Sequence, residues 1–203
     1  MSSLKNSMAT LASFLIFGCV LPITSSAQTA GSDQGASSSA HSTLSASDQK
    51  FMKEAAQGGE AEVQLGQLAQ QKAESPDVKA FGQRMVDDHT KANDQLKQVA
   101  SHKGVTLPSQ PDAKDKAEKA RLEKMSGAQF DKAYMNYMVA DHKKDVADFQ
   151  REASHANDPD VKNFAQSTLP TLQSHLQQAE SIAPKQSAAS AKSSTTASNS
   201  TRQ

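Results

Sequence analysis

Apolar side chains recur at intervals of three and four along four stretches of this chain, the spacing of one face of an α-helix. The first stripe runs Phe51, Ala55, Gly58, Glu62, Leu65, Ala69, and the second Val78, Phe81, Met85, His89, Ala92, Leu96. The third runs Tyr134, Met138, His142, Asp145, Phe149, and the fourth Val161, Phe164, Thr168, Leu172, His175, Ala179, Ile182. Local punctuation bounds the helices. Ser47 is the expected N-cap of a helix over 48–73, and Ser75 with Pro76 opens one over 76–103. Ser126 and Gln129 form a capping-box pattern before a helix over 127–155, and Asp158 with Pro159 opens one over 159–182. Pro108 and Pro111 break the chain after the second helix, and Asp112 can start a short charged helix. The link 104–126 can run back along a bundle about 40 Å long. The pattern therefore predicts an all-α four-helix bundle with a long connection between the second and third helices.

Two phrases repeat. Met-Val-x-Asp-His occurs at 85–89 and 138–142, and Pro-Asp-Val-Lys-x-Phe-x-Gln at 76–83 and 159–166. They suggest two related helical hairpins, with the second and third helices in equivalent places so that the histidine cassette recurs.

The flanks differ from this core. Residues 1–27 combine Lys5, an apolar run and a small-residue end at Ala27, the form of a secretory signal. The rival is lipidation at Cys19, the only cysteine, although Phe17 and the apolar run past Cys19 fit it poorly. Export is expected either way, to the periplasm or outside, or as a membrane-anchored lipoprotein. Residues 28–46 and 185–203, rich in Ser and Ala, are expected to be flexible tails around a domain at 47–184. The whole chain has 22 basic and 22 acidic side chains; loss of Lys5 with the signal would leave a formal charge of −1. Nothing in that balance or its distribution points to a nucleic-acid partner, and no spanning segment is expected in the mature chain. A protein partner is not identified by any motif.

What interrupts the stripes carries the candidate chemistry. Glu62, His89, His142 and Asp145, and His175, fall where core residues belong, one or two per helix. Burying such groups costs several kcal/mol unless they are paired, hydrogen-bonded or bound to metal. Counting from the turns puts Glu62, His89 and His142 level at mid-bundle, with His175 about a turn out of level. One carboxylate and several imidazoles make a set that Zn, Fe, Mn or Cu accepts. The bland alternative is a polar network in which Glu62 and Asp145 hydrogen-bond the imidazoles. Met85 and Met138, each four residues before a histidine, would suit Cu(I), but methionine is also a common core filler. Asp88 and Asp141 could orient an imidazole on a neighbouring helix; for Asp88 solvated surface is expected. No nucleophile–base pair, phosphate loop or cofactor fingerprint argues for an enzyme.

The phrases Phe51-Met-Lys-Glu through Met85-Val-Asp-Asp-His89, Phe130-Asp-Lys-Ala-Tyr through His142, and Leu169-Pro-Thr-Leu-Gln-Ser-His175 resemble the domain-of-unknown-function family 4142. Its members are exported bacterial proteins, often labelled outer-membrane proteins, and sit with the ferritin-like superfamily. The resemblance implies a ferritin-like four-helix bundle over about 47–182 and brings no established activity. Di-iron bundles use Glu-x-x-His; here Val86, Val139 and Leu172 stand three residues before the histidines. A single metal ion, or none, fits this chain better than a di-iron pair. The expected functions are therefore transition-metal binding in envelope metal or oxidative stress, or a metal-free structural or interaction module of the envelope.

Overall fold

The computed structural model describes residues 44–199, and every regular element among them is a helix. The elements are α1 (Ala46–Lys72), α2 (Pro76–Lys103), a short α3 (Ala113–Leu122), α4 (Gly127–His155) and α5 (Pro159–Asn199). The four long helices pack into an all-α bundle, the fold class that the stripes predict. α1 packs mainly on α2 and α4 mainly on α5, so the bundle is two antiparallel hairpins.

α2 ends in a left-handed residue, Gly104 at φ 67°, where a side chain would be strained. From there the 104–126 connection returns to the opposite end of the bundle, because α4 starts beside the α1–α2 turn. Two bonds show this: the backbone N–H groups of Glu74 and Ser75 donate to Asp131 of α4 at 3.1 and 2.8 Å. The other turn is held in the same way. Asn157 and Asp158 N–H groups donate to Asp48 of α1 at 3.4 and 3.0 Å. Each hairpin thus lends a carboxylate from the start of its first helix to the turn of the other, satisfying donors that helix ends leave orphaned.

Several boundary expectations change. The α1 cap is Ser45, whose hydroxyl accepts from Asp48 N–H at 3.0 Å, two residues before the expected Ser47. At Ser75 and Ser126 no side-chain cap bond forms. Glu74 instead accepts from Ala128 N–H at 3.1 Å, so tertiary carboxylates replace the expected local caps. α5 runs to Asn199, through a stretch that composition assigns to a tail from 185; that stretch has neither glycine nor proline to stop a helix. The expected signal at 1–27 and most of the linker at 28–46 lie outside the described residues. Among the described residues no helix is long and apolar enough to cross a membrane.

The repeat register also differs from the histidine cassette. Asp48 and Asp131 stand 83 positions apart, as do Pro76 and Pro159, and Met52 and Met135. In that register α1 matches α4 and α2 matches α5. α2 and α4 are therefore not equivalent, and the cassette does not recur because of the repeat.

The buried apolar residues fall into two clusters. One holds Leu65, Phe81, Met85, Tyr134, Met138 and Ile182 near the α1–α2 turn. The other holds Phe51, Met52, Leu96, Phe149, Val161 and Leu172 near the α4–α5 turn. On every long helix the step from one cluster to the other passes through Glu62, His89, His142 or His175. A polar layer divides the core.

Candidate metal centre

The layer is built from one residue per helix, and all four are buried: Glu62 at 1% exposure, His89 at 5%, His142 and His175 at 0%. His175 is not out of level. Within each hairpin the same offset recurs. Glu62 and His89 lie eleven and fourteen residues from the caps Ala73 and Ser75, and His142 and His175 fourteen and seventeen from Ala156 and Asp158. Three residues are about 4.5 Å of helix. Side chains lean toward their helix N-terminus, away from the turn on the first helix and back toward it on the second. The lean closes the gap that counting alone leaves open.

The contacts fix the proton positions. His142 Nδ1 lies 3.0 Å from the Met138 carbonyl oxygen, an acceptor, so the ring carries its proton there and Nε2 holds a lone pair. His175 Nε2 lies 2.7 Å from Asp88 Oδ2, so it donates and Nδ1 holds the lone pair. These two lone pairs, His142 Nε2 and His175 Nδ1, face each other at 3.3 Å. His89 Nδ1 lies 2.8 Å from Glu62 Oε2, while Glu62 Oε1 lies 3.4 Å from His142 Nε2. That last contact brings an oxygen to a lone pair and is no hydrogen bond; Glu62 Oε1 and His89 Nε2 are both buried without a hydrogen-bond partner. The layer gathers three nitrogen lone pairs, those of His142 Nε2, His175 Nδ1 and His89 Nε2, beside the Glu62 carboxyl.

Burial sets the charge states. Desolvation lowers the three imidazoles, His89 to about 4, His142 to about 3 and His175 to about 4, so all are neutral near pH 7. Desolvation also pushes Glu62 well above the ordinary carboxylate range, with the charges of Asp141 and Asp115 adding to it. One bulky group borders the layer: Phe81 sets its ring edge-on to His142 and His175, at centroid distances of 6.3 and 6.5 Å.

Two sets of three side chains each offer one ligand atom within 4.8 Å of the others: His89, His142, His175, and Glu62, Asp141, His142. Asp145 belongs to neither set. It is partly exposed, at 19% for the side chain, and lies beside Glu62, whose charge helps burial to raise it well above its ordinary value. Asp141 enters where the stripe did not put it, raised to about 6 by desolvation and by Asp115. Asp88 is not free surface. It receives His175 Nε2 and Arg84 Nε, the latter at 3.2 Å, and these bonds lower it despite the opposing cost of burial. Arg84 in turn donates to Gln178 at 2.8 Å and to Ser174 at 3.1 Å, tying α2 to α5. An Arg84–Asp88 spacing of four on one helix face was the available signal for this support. The methionines differ from the Cu(I) expectation in role: Met85 and Met138 are packed in an apolar cluster, and it is the Met138 carbonyl that reaches His142.

Residues 33–182 match the family described as domain of unknown function, DUF4142. The chain belongs to that family. No curated protein matches it in sequence. Among solved structures it is similar to a DUF305 fragment from Deinococcus radiodurans, with TM-score 0.62 and 14% identity over 70% of this chain and 98% of that one. A DUF305 protein from Streptomyces coelicolor, proposed to be secreted, gives TM-score 0.60 and 12% identity over 70% and 92% of the two chains. CopM in its Cu(I)-bound form gives TM-score 0.55 and 17% identity over 66% and 93%. At such identities the likeness speaks for the helical fold.

Proposed function

We propose that this DUF4142 protein binds one transition-metal ion in the polar layer, with His142 Nε2, His175 Nδ1, a nitrogen of His89 and Glu62 as the donor set. The observation that carries the reading is the pair of lone pairs facing each other at 3.3 Å in a buried site. Two such atoms repel; a cation between or beside them turns the repulsion into coordination. The far nitrogens support it, since His142 donates to a backbone carbonyl and His175 to a carboxylate, the outer bonds that orient metal-bound imidazoles. Neutral imidazole donors with one carboxylate suit Cu, Zn or Fe. Copper is placed first, because structures of similar fold include CopM with copper bound. The leader-like residues 1–27 and the secretion proposed for the Streptomyces relative support an envelope or extracellular setting for this activity. Its use there would be to bind or buffer the ion.

The test is elemental analysis by plasma mass spectrometry of untagged protein from cells given copper, zinc, iron or manganese. We expect about one ion per chain, absent from His142→Ala and His175→Ala. Metal-free wild type whose melting temperature does not move on adding any of the four ions would leave the layer a structural network.

A further inference from the structure

Beside the layer lies a cavity of about 40 Å³ that takes side chains from α1, α2, α4 and α5. That is room for about three waters. Its lining changes from exposed to buried. At one end are Glu54, Lys144 and Arg151, whose side chains are 50–60% exposed; at the other are Glu62 at 2% and His89 at 7%. Thr168 also lines it, 7% exposed, with a buried hydroxyl that has no hydrogen-bond partner. Asp145, with an exposure of 19% between those extremes, also lines it, and so does Asp148, held by Lys144 at 2.8 Å and Arg151 at 2.9 Å. A neighbouring groove by Asp88, which shares Ala92 and Thr168 with this cavity, is lined by none of the three histidines.

We propose that this cavity is the entry route of a hydrated divalent transition-metal cation, and that it holds a resting place made by the Glu62 and Asp145 carboxylates with the Thr168 hydroxyl. The proposal rests on the metal reading above. Three features carry it. The cavity alone joins exposed side chains to Glu62 and His89 among the cavities described. Two of its lining residues, Glu62 and Thr168, each carry a buried oxygen without a hydrogen-bond partner that an ion still carrying part of its water could use. Its wall on α1 contains Gly58, where an added Cβ would meet nothing within 4 Å, so the passage has space that no packing uses. Glu62, shared by cavity and layer, would pass the ion from the oxygen donors of the cavity to the imidazole nitrogens of the layer, both of which transition metals accept.

The experiment times Zn²⁺ loading of the metal-free full chain and its removal by a chromophoric chelator, in wild type, Gly58→Ala, Gly58→Leu, Gly58→Phe and Asp145→Asn. Loading and removal should both slow with side-chain size, tenfold or more for Gly58→Phe and little for Gly58→Ala, while the Gly58 variants keep one Zn²⁺ at unchanged affinity. Asp145→Asn should slow loading several-fold. Wild-type rates in both Gly58→Phe and Asp145→Asn, with binding retained, would overturn the route and leave the metal site standing. If Gly58→Phe does not fold, the Asp145→Asn loading rate decides. A wild type that takes up no Zn²⁺, Cu²⁺, Fe²⁺ or Mn²⁺ fails earlier and removes the site as well as the route.

Discussion

The α1–α2 and α4–α5 hairpins match position for position at their ends and diverge in the middle. Asp48 and Asp131 cap the opposite turns, Pro76 and Pro159 open the second helices, and Glu62 and Asp145 occupy one register position. Yet His142 stands where α1 has Gly59, His175 where α2 has Ala92, and His89 where α5 has Leu172. The contrast separates two jobs. Ends must satisfy orphaned N–H groups, a demand identical in both hairpins. The middle is free to differ, and there the differences place one imidazole on the first hairpin and two on the second of an otherwise paired scaffold. Gly59 has its own reason to lack a side chain: a Cβ there would collide with the Asn93 carboxamide.

The closeness of the helices differs as well. α1 and α2 approach through Gly66 and Gly82, and a Cβ on Gly66 would lie 2.5 Å from the Gly82 carbonyl oxygen. The matching positions in the other hairpin are Phe149 and Ala165. Gly66→Ala should therefore destabilise by about 2–3 kcal/mol, since backbone must move to admit the methyl. Ala165→Gly, at the matching position of Gly82, should cost only about 1 kcal/mol. Urea unfolding of both variants checks this; equal losses would mean that the two hairpins do not pack differently.

The shared ends lead to a symmetric expectation. Asp48→Ala and Asp131→Ala each strip two backbone donors of their acceptor and should each cost about 2 kcal/mol. Thermal melts that separate the two by more than about that amount would break the equivalence of the turns.

The middle is expected to show itself in acid. A buried imidazole lowered to about 3 is neutral in the fold and protonated in the unfolded chain below about 6.5, so acid favours unfolding. Compared with His142→Gln, the metal-free wild type should lose up to about 1.4 kcal/mol per pH unit as pH falls from about 6.5 toward about 3. Glu62 and Asp141 act in the opposite sense, because they are raised: the fold holds their protons while the unfolded chain has lost them, which stabilises the fold as pH falls. The total slope is accordingly shallower than three histidines would give. Parallel pH profiles for wild type and His142→Gln would show that His142 is not held neutral by burial.

The smallest effect concerns neighbouring glycines of α1. Gly58→Ala should stabilise by about 0.5–1 kcal/mol through helix propensity, since its Cβ enters open space. Gly59→Ala should lose that gain against Asn93. Matching melting temperatures for the two would remove the distinction.

Much of this protein is determined by the sequence by itself. The three-and-four spacing of apolar residues, with Ser-Pro and Asp-Pro openings, sets four long helices and the long link between the second and third. It also marks Glu62, His89, His142, Asp145 and His175 as out of place in a core. These are local signals, read within a turn or two of helix. Tertiary structure decided what no local signal carries. The caps of α2 and α4 come from Asp131 and Glu74, more than fifty residues away in sequence. His175 reaches His142 because side chains on antiparallel helices lean toward one another, and Asp88, which counting puts at the surface, is aimed at His175 by Arg84. Which nitrogen of each imidazole keeps its lone pair depends on those partners, and so does the gathering of unprotonated donors that makes the layer a candidate metal site. Helix periodicity gives each side chain a face; only packing gives it a neighbour.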